Sequence, residues 1–452
     1  MARWTLTDSG DFFRRVAAAV LFCLATDGVL VGDDWPQWRG PTRDGIWRET
    51  DLVESFPGSQ LPVKWKADIS SGYSGPTVAE GRVVVSDRLV DEGRQVERVH
   101  CFDAMTGEKK WSFAYDCPYD DVGYPAGPRG SITLDDGNGY FLGATGHLHC
   151  FDAATGAIVW HRDLRDEWRI RMPNWGIACS PLVHGRLVIV QIGGSDGACV
   201  VALDKLTGQE QWRALPDPAS YSSPIMIRQA DRDVLVVWTG ARVVGLDPLT
   251  GQLHWHVPTP PQRFIRACAS PVWHEDYLLL SCFFNGTRLL RLSRDRLAVE
   301  TVWHRAGRSE QETNGLHTNF AEPFLRDGFL YGVDSYGQLR CLDARDGRRV
   351  WENLEVIPQR RWSTLRFIRT TDRTWIFTDQ GELIIARLSP EGYKEVDRAR
   401  VIQPTRVQLQ RRHGVCWAHP AFAYGHIFAR NDKEIVCCQL HSAESQSRDD
   451  TR

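Results

Sequence analysis

An eleven-residue pattern returns along the chain: two apolar residues, Asp, two variable residues, Thr-Gly, three variable residues, Trp. It reads CFDAMTGEKKW at 101–111, CFDAATGAIVW at 150–160, ALDKLTGQEQW at 202–212 and GLDPLTGQLHW at 245–255. A variant, CLDARDGRRVW, occupies 341–351, and two eroded copies end at Trp303 and near Val396. The fixed positions are Asp103, Gly107 and Trp111; Asp152, Gly156 and Trp160; Asp204, Gly208 and Trp212; Asp247, Gly251 and Trp255; Asp343, Gly347 and Trp351. Each copy reads as a strand end, a tight turn and a returning strand. Asp accepts turn N–H groups, Gly takes the positive φ, and Trp wedges between neighbouring units.

Ahead of each copy stands a small or polar cluster, often with Pro, then two apolar strands joined by a turn. Eight such stretches begin at Ser71, Ala126, Gly176, Tyr221, Arg266, Asn319, Ser363 and Trp417. The unit is therefore four strands, and the Trp positions 65, 111, 160, 212, 255, 303 and 351 recur every 43–52 residues. That is the size of a propeller blade. The expected fold is all-β, an eight-bladed β-propeller of four-stranded antiparallel blades. After the last inner strand the chain supplies IFARND and EIVCCQL but no fourth strand, whereas LPVKWKADI at 61–69 looks like an unplaced outer strand. The expectation is that this N-terminal outer strand completes the eighth blade and closes the ring.

With 54 Lys and Arg against 57 Asp and Glu, the net charge of −3 offers no basic surface for a nucleic-acid backbone. Arg14 and Arg15 precede a ten-residue apolar run, 16–25, too short to span a bilayer and laid out like an export signal. The expected organisation is a signal peptide or export segment over 1–32, a Trp-rich leader over 33–60 packed on the propeller, the propeller over 61–440 and a disordered polar tail over 441–452. The expected location is the periplasm or another exported compartment of a Gram-negative-type cell envelope, with no transmembrane span in the mature chain, as a monomer. Most of the twelve Cys sit in apolar strand-like runs and read as buried free thiols. Cys437 and Cys438 are adjacent on a strand, where side chains point to opposite faces, so bridging them needs a strained turn.

The Asp103-Ala104-x-Thr106-Gly107-x-x-x-Trp111 motif and its copies resemble the pyrroloquinoline-quinone (PQQ) repeat family of eight-bladed propellers, over roughly 61–440. The leader DDWPQWRGPTRDGIW at 33–47 resembles the segment that opens many exported members from planctomycete-type bacteria. The resemblance implies either of two functions. One is that of the family's non-catalytic assembly lipoprotein, a scaffold subunit of outer-membrane barrel insertion. The other is that of its quinoprotein dehydrogenases, which hold calcium on Glu, Asn and Asp, use a catalytic Asp, and carry a vicinal disulfide over the quinone. This chain is short for that class, and its only adjacent Cys pair falls in the third strand of the last blade. No catalytic residue is carried over.

The segments ahead of the inner strands are expected to rim the central channel. They hold Tyr73, Arg129, Asn174, Trp175, Tyr221, Arg266, His317, Asn319, Trp362, Arg366, Trp417 and His419. Such a mixture of cations, amides and aromatics suits an anionic ligand, a sugar or a peptide strand, and equally a polar mouth filled with water. His147 and His149 share a strand face, as do His254 and His256, but two imidazoles need a third ligand and no companion motif supplies one. The acidic turn LDDGNG at 134–139 lacks calcium-loop spacing, so no metal is expected. Nucleophile elbows and phosphate loops are absent, and IGGSDG at 192–197 leads into a strand rather than a helix. The expected function is that of an exported, non-catalytic binding or scaffold propeller, presenting loops and channel mouth to a protein, peptide or glycan of the envelope. It needs no cofactor. The alternative is a PQQ-dependent alcohol or sugar dehydrogenase using PQQ and calcium.

Overall fold

The computed structural model describes residues 32–265, 267–410 and 413–441. Among these residues, eight four-stranded antiparallel sheets follow one another, with a single four-residue helix at Leu164–Glu167. Blade 1 is built from Thr77–Ala79, Arg82–Asp91, Arg94–Asp103 and Lys109–Asp116, running from innermost to outermost. Blade 2 follows with Thr133–Asp135, Asn138–Leu142, His147–Asp152 and Ile158–Asp163. Blades 3 to 7 repeat the order, with innermost strands Leu182–His184, Ile225–Gln229, Val272–His274, Phe324–Arg326 and Leu365–Arg369. The eighth sheet contains Ala421–Ala423, His426–Arg430 and Glu434–Gln439, and its fourth strand is Val63–Asp68 from the front of the chain. Trp65 pairs with Cys437 and Asp68 with Glu434 in an antiparallel register.

The repeated turn does what its residues allow. Asp103 Oδ1 accepts the N–H groups of Met105 and Thr106, both at 3.0 Å, and the Gly107 N–H donates to the Asp103 carbonyl at 2.9 Å. The same Asp-to-turn bonds recur at Asp152, Asp204 and Asp247. Gly107 has φ +74° and Gly156 +75°. A Cβ on Gly107 would lie 2.6 Å from the Trp65 ring, and one on Gly156 2.6 Å from Trp111. Trp65, Trp111, Trp160, Trp212 and Trp303 thus each lie against the turn glycine of the next blade. The indole Nε1–H also donates into that turn: Trp65 to Ala104 O (2.8 Å), Trp111 to Ala153 O (3.1 Å), Trp160 to Lys205 O (3.0 Å), Trp212 to Pro248 O (3.1 Å). Trp255 instead donates to Gln229 Oε1 at 2.9 Å, since the blade that follows it lacks the Asp-Thr-Gly turn. A one-residue register shift beside each Trp turns the ring toward its neighbour.

Second and third strands are buried on both faces, while outer strands alternate. The apolar core is accordingly a series of clusters between consecutive blades. Phe141 and Phe151 pack on Val84 and Cys101, and Leu235 and Val237 pack on Ile189 and Val200. The largest cluster joins blades 7, 8 and 1 and takes in Trp35, Trp47 and Phe56 from the leader. Cys101, Cys117, Cys150, Cys179, Cys199, Cys341, Cys416, Cys437 and Cys438 are free and buried. No helix of the described residues is long and apolar enough to cross a membrane.

Candidate functional site

The segments ahead of the eight innermost strands meet around one cavity of about 150 Å³. Tyr73 comes from blade 1, Arg129 from blade 2, Trp175 from blade 3 and Tyr221 from blade 4. Cys268 comes from blade 5, Asn319 and Phe320 from blade 6, Trp362 and Arg366 from blade 7, and Trp417 and His419 from blade 8. Eight radial sheets can share a cavity in this way only on their common axis. Nine residues expected at the mouth therefore stand together: Tyr73, Arg129, Trp175, Tyr221, Asn319, Trp362, Arg366, Trp417 and His419.

Two others do not line it. Asn174 is exposed beside Trp175, with its carbonyl accepting the Gly123 N–H at 2.7 Å. His317 is buried in the wall, where one ring nitrogen meets Phe283 O at 2.9 Å and the other accepts the Gly307 N–H at 2.9 Å. Arg266 lies outside the described residues. The sequence reading missed Trp38, Tyr124, Ala178, Ser180, Ser223, Cys268 and Phe320. Ser180, Ser223 and Cys268 sit in the same small-residue clusters and were legible by position. Tyr124 reaches the cavity from a loop, at φ +54°, and Trp38 arrives from far away in sequence.

Trp38 belongs to a leader that crosses the channel. Trp35 exchanges backbone hydrogen bonds with Val78 (2.7 and 2.9 Å), and Pro36 O accepts the Leu134 N–H at 2.8 Å. The Arg43 guanidinium is buried against backbone carbonyls of Ser180, Pro181 and Pro224 and pairs with Gln37 Oε1 at 2.7 Å. Trp38 Nε1–H donates to Ser270 Oγ at 3.2 Å, and its ring sits edge-on to His419 at 5.0 Å. Trp47 N–H donates to Arg369 O at 2.8 Å, and its ring packs on Trp375 and Phe422. The leader thus touches a residue near the inner strand of every blade except blade 6 by hydrogen bond or ring contact. It reaches blade 6 through Arg39, 3.8 Å from Glu322.

The electrostatics of this axis are cationic. Glu322 stands between two guanidiniums, Arg39 at 3.8 Å and Arg366 at 3.9 Å, all three being buried. Burial pushes Arg43 and Arg369 down to about 10 and lowers Arg366, yet all remain charged at neutral pH. Burial, then Arg366, holds His419 well below the usual imidazole range, so its ring is neutral. Arg129 donates to Gly123 O (2.9 Å) and Tyr124 O (2.8 Å) and lies over the Tyr73 ring at 5.0 Å, with no carboxylate within salt-bridge distance among the described residues. The walls are aromatic: Trp175 lies 4.8 Å from Tyr221, Phe320 4.9 Å from Trp417, and Tyr73 is stacked on Trp417 at 6.5 Å.

A calcium–quinone pair is a poor match for these residues. Calcium takes six to eight oxygen ligands, mostly carboxylate, and neither Asp nor Glu lines the cavity. Its volume is close to that of a cavity holding one benzene-sized ring and below the ~300 Å³ at which drug-sized sites begin. Cys437 and Cys438 are buried on consecutive positions of the third strand of blade 8, facing opposite sides, and neither lines the cavity.

A family model described as outer membrane protein assembly factor BamB matches residues 95–353. Among curated proteins, the quinohemoprotein alcohol dehydrogenase of Comamonas testosteroni is 26% identical over 223 residues, 48% of this chain and only 28% of that enzyme. Among solved structures, BamB from Moraxella catarrhalis matches with TM-score 0.55 and 16% identity, over 84% of this chain and 98% of that one. The Comamonas testosteroni quinohemoprotein alcohol dehydrogenase matches with TM-score 0.60 and 16% identity, over 89% of this chain and 80% of that one. At these identities the likeness is one of fold.

Proposed function

The chain belongs to the family described as outer membrane protein assembly factor BamB, and from that premise we propose that it is an exported, non-catalytic binding or scaffold propeller of the cell envelope. It presents its channel mouth and rim loops to a protein, peptide or glycan. The observation that carries this reading is the lining of the axial cavity: Trp, Tyr or Arg from six of the eight blades, Cys268, Asn319 and Phe320 from the other two, and no Asp or Glu among the lining residues. Rigid aromatics and arginines are the residues that dominate binding hot spots, because they bury much area at little entropic cost. General acid–base or hydrolytic chemistry needs a titratable pair within reach of a reacting atom, and the one imidazole lining the cavity among the described residues is that of the buried, neutral His419, whose ring nitrogen meets Pro420 O. The leader would fix the depth of the site, since Trp38 is part of its wall.

An array of short peptides and oligosaccharides, probed with the protein, tests the reading. Arg129 and Trp175 are both partly exposed, so Arg129→Gln and Trp175→Ala leave the core intact. Retained array features are expected to weaken about tenfold or more in each variant. An array that retains nothing, or variants that bind as the parent does, would contradict it.

A second reading, PQQ-dependent alcohol or sugar dehydrogenase with PQQ and calcium, has one observation in its favour, the 223-residue match to the Comamonas enzyme. The acid-free, ring-sized cavity weighs against it.

A further inference from the structure

The third and outer strands of blade 2 put three imidazoles and a carboxylate on one face of the sheet. His147 lies opposite Asp163, and His149 lies opposite His161, in alternate rungs of the antiparallel ladder with the Leu148–Arg162 pair between them. Side chains two apart on a strand share a face, and directly opposed residues share it too, so the four groups form a square. His147 Nδ1 and His161 Nε2 face each other at 3.3 Å. Asp163 Oδ2 lies 3.9 Å from the same His147 Nδ1.

These spacings have a chemical meaning. Two donors each about 2.0–2.1 Å from a tetrahedral ion lie roughly 3.3–3.4 Å from one another. The His147–His161 nitrogen pair already has that separation. No three His, Cys, Asp or Glu side chains among the described residues converge on one point as they stand. The 3.9 Å between Asp163 Oδ2 and His147 Nδ1 exceeds that ligand-to-ligand separation by about half an ångström, within what a small χ rotation can change. Its carboxylate is otherwise well oriented: Oδ1 caps the Leu164–Glu167 helix by accepting the Arg165 and Asp166 N–H groups at 3.1 and 3.3 Å, leaving Oδ2 for another partner. Behind His161, His149 packs ring against ring at 4.4 Å, 4% exposed, with a buried Nδ1 that has no hydrogen-bond partner. Tyr115 of blade 1 closes over His149 at 4.3 Å and over His147 at 5.1 Å.

We propose that His147, His161 and Asp163 bind one divalent transition-metal ion, zinc by preference, at the outer edge of blade 2. Two imidazoles and a carboxylate suit zinc, and His161 stands exposed at the rim, so the fourth position is open to water or to a ligand atom from outside. The ion would strap the outer strand to the third strand beside the blade 1 interface. This site is separate from the axial cavity and does not depend on the reading given above.

Untagged protein titrated with Zn2+ in a calorimeter, and with Co2+ in a spectrophotometer, tests it. One equivalent of Zn2+ should bind, and Co2+ should give the intense visible bands of four-coordination. His161→Ala and Asp163→Asn should each weaken binding about tenfold or more. His161 is exposed and Asn also caps helices, so both variants should fold, which their thermal unfolding checks. His184→Ala, on blade 3, should bind as the parent does. Absence of saturable Zn2+ binding, or unchanged binding in His161→Ala and Asp163→Asn, would overturn the proposal.

Discussion

Asp379, 2% exposed, accepts a hydrogen bond from Gln380 Nε2 at 3.0 Å and the Thr364 N–H at 3.3 Å, with no salt bridge among the described residues. Burial pushes its carboxyl up to about 6. A carboxyl with a raised folded pKa favours the fold while protonated, below its unfolded value near 4, and that contribution disappears as pH rises through about 6. Asp379→Asn is therefore expected to be more stable than the parent at pH 8, by ~1–3 kcal/mol, with the gap closing at pH 4. Denaturant unfolding at the two pH values checks this, and an equal gap at both would contradict it. The repeat residues were legible for a related reason: a turn that needs φ near +74° restricts its own residue types. The second demand on Gly107 and Gly156, that a neighbour's indole lies where a Cβ would go, spans two blades and leaves no local signature. Asp379 was not legible at all, because burial of a lone carboxylate is decided by packing from elsewhere.

At the scale of elements, the outer strand Val63–Asp68 is the informative case. Its single Trp in an alternating run marked it as a blade strand without a blade, and it pairs with Glu434–Gln439. Trp65, 8% exposed, joins this strand to blade 1 through Ala104 O and the face of Gly107. We expect Trp65→Ala to cost about 3–5 kcal/mol and to loosen the junction of blades 8 and 1 first. Hydrogen exchange at 434–439 should then accelerate more than in blades 3 to 5, and a uniform acceleration would show that the N-terminal strand has no special part in holding the ring shut. The leader was only half legible. Three tryptophans between 35 and 47 announced burial, but nothing local says that the segment enters the channel. What places it there is Arg43, whose partners are carbonyls of residues 180, 181 and 224.

For the whole molecule, the ring follows from counting, since eight clusters and eight outer strands, seven of them bearing the repeat Trp, leave one way to pair them. The cavity follows from the ring, because each pre-strand segment must point at the axis. That is why nine of the expected mouth residues gather in one place while His317 turns into the wall, an orientation set by Phe283 and Gly307 rather than by position. The same fold occurs in BamB and in a quinohemoprotein alcohol dehydrogenase, so the proposed function rests on the lining rather than on the fold. The most direct measurement is to incubate the protein with PQQ and calcium, pass it through a desalting column, and assay dye reduction with alcohols and sugars. A binding propeller with a ring-sized, acid-free cavity elutes without quinone absorbance and reduces no dye. Stoichiometric quinone that stays with the protein and turns over substrate would contradict the account.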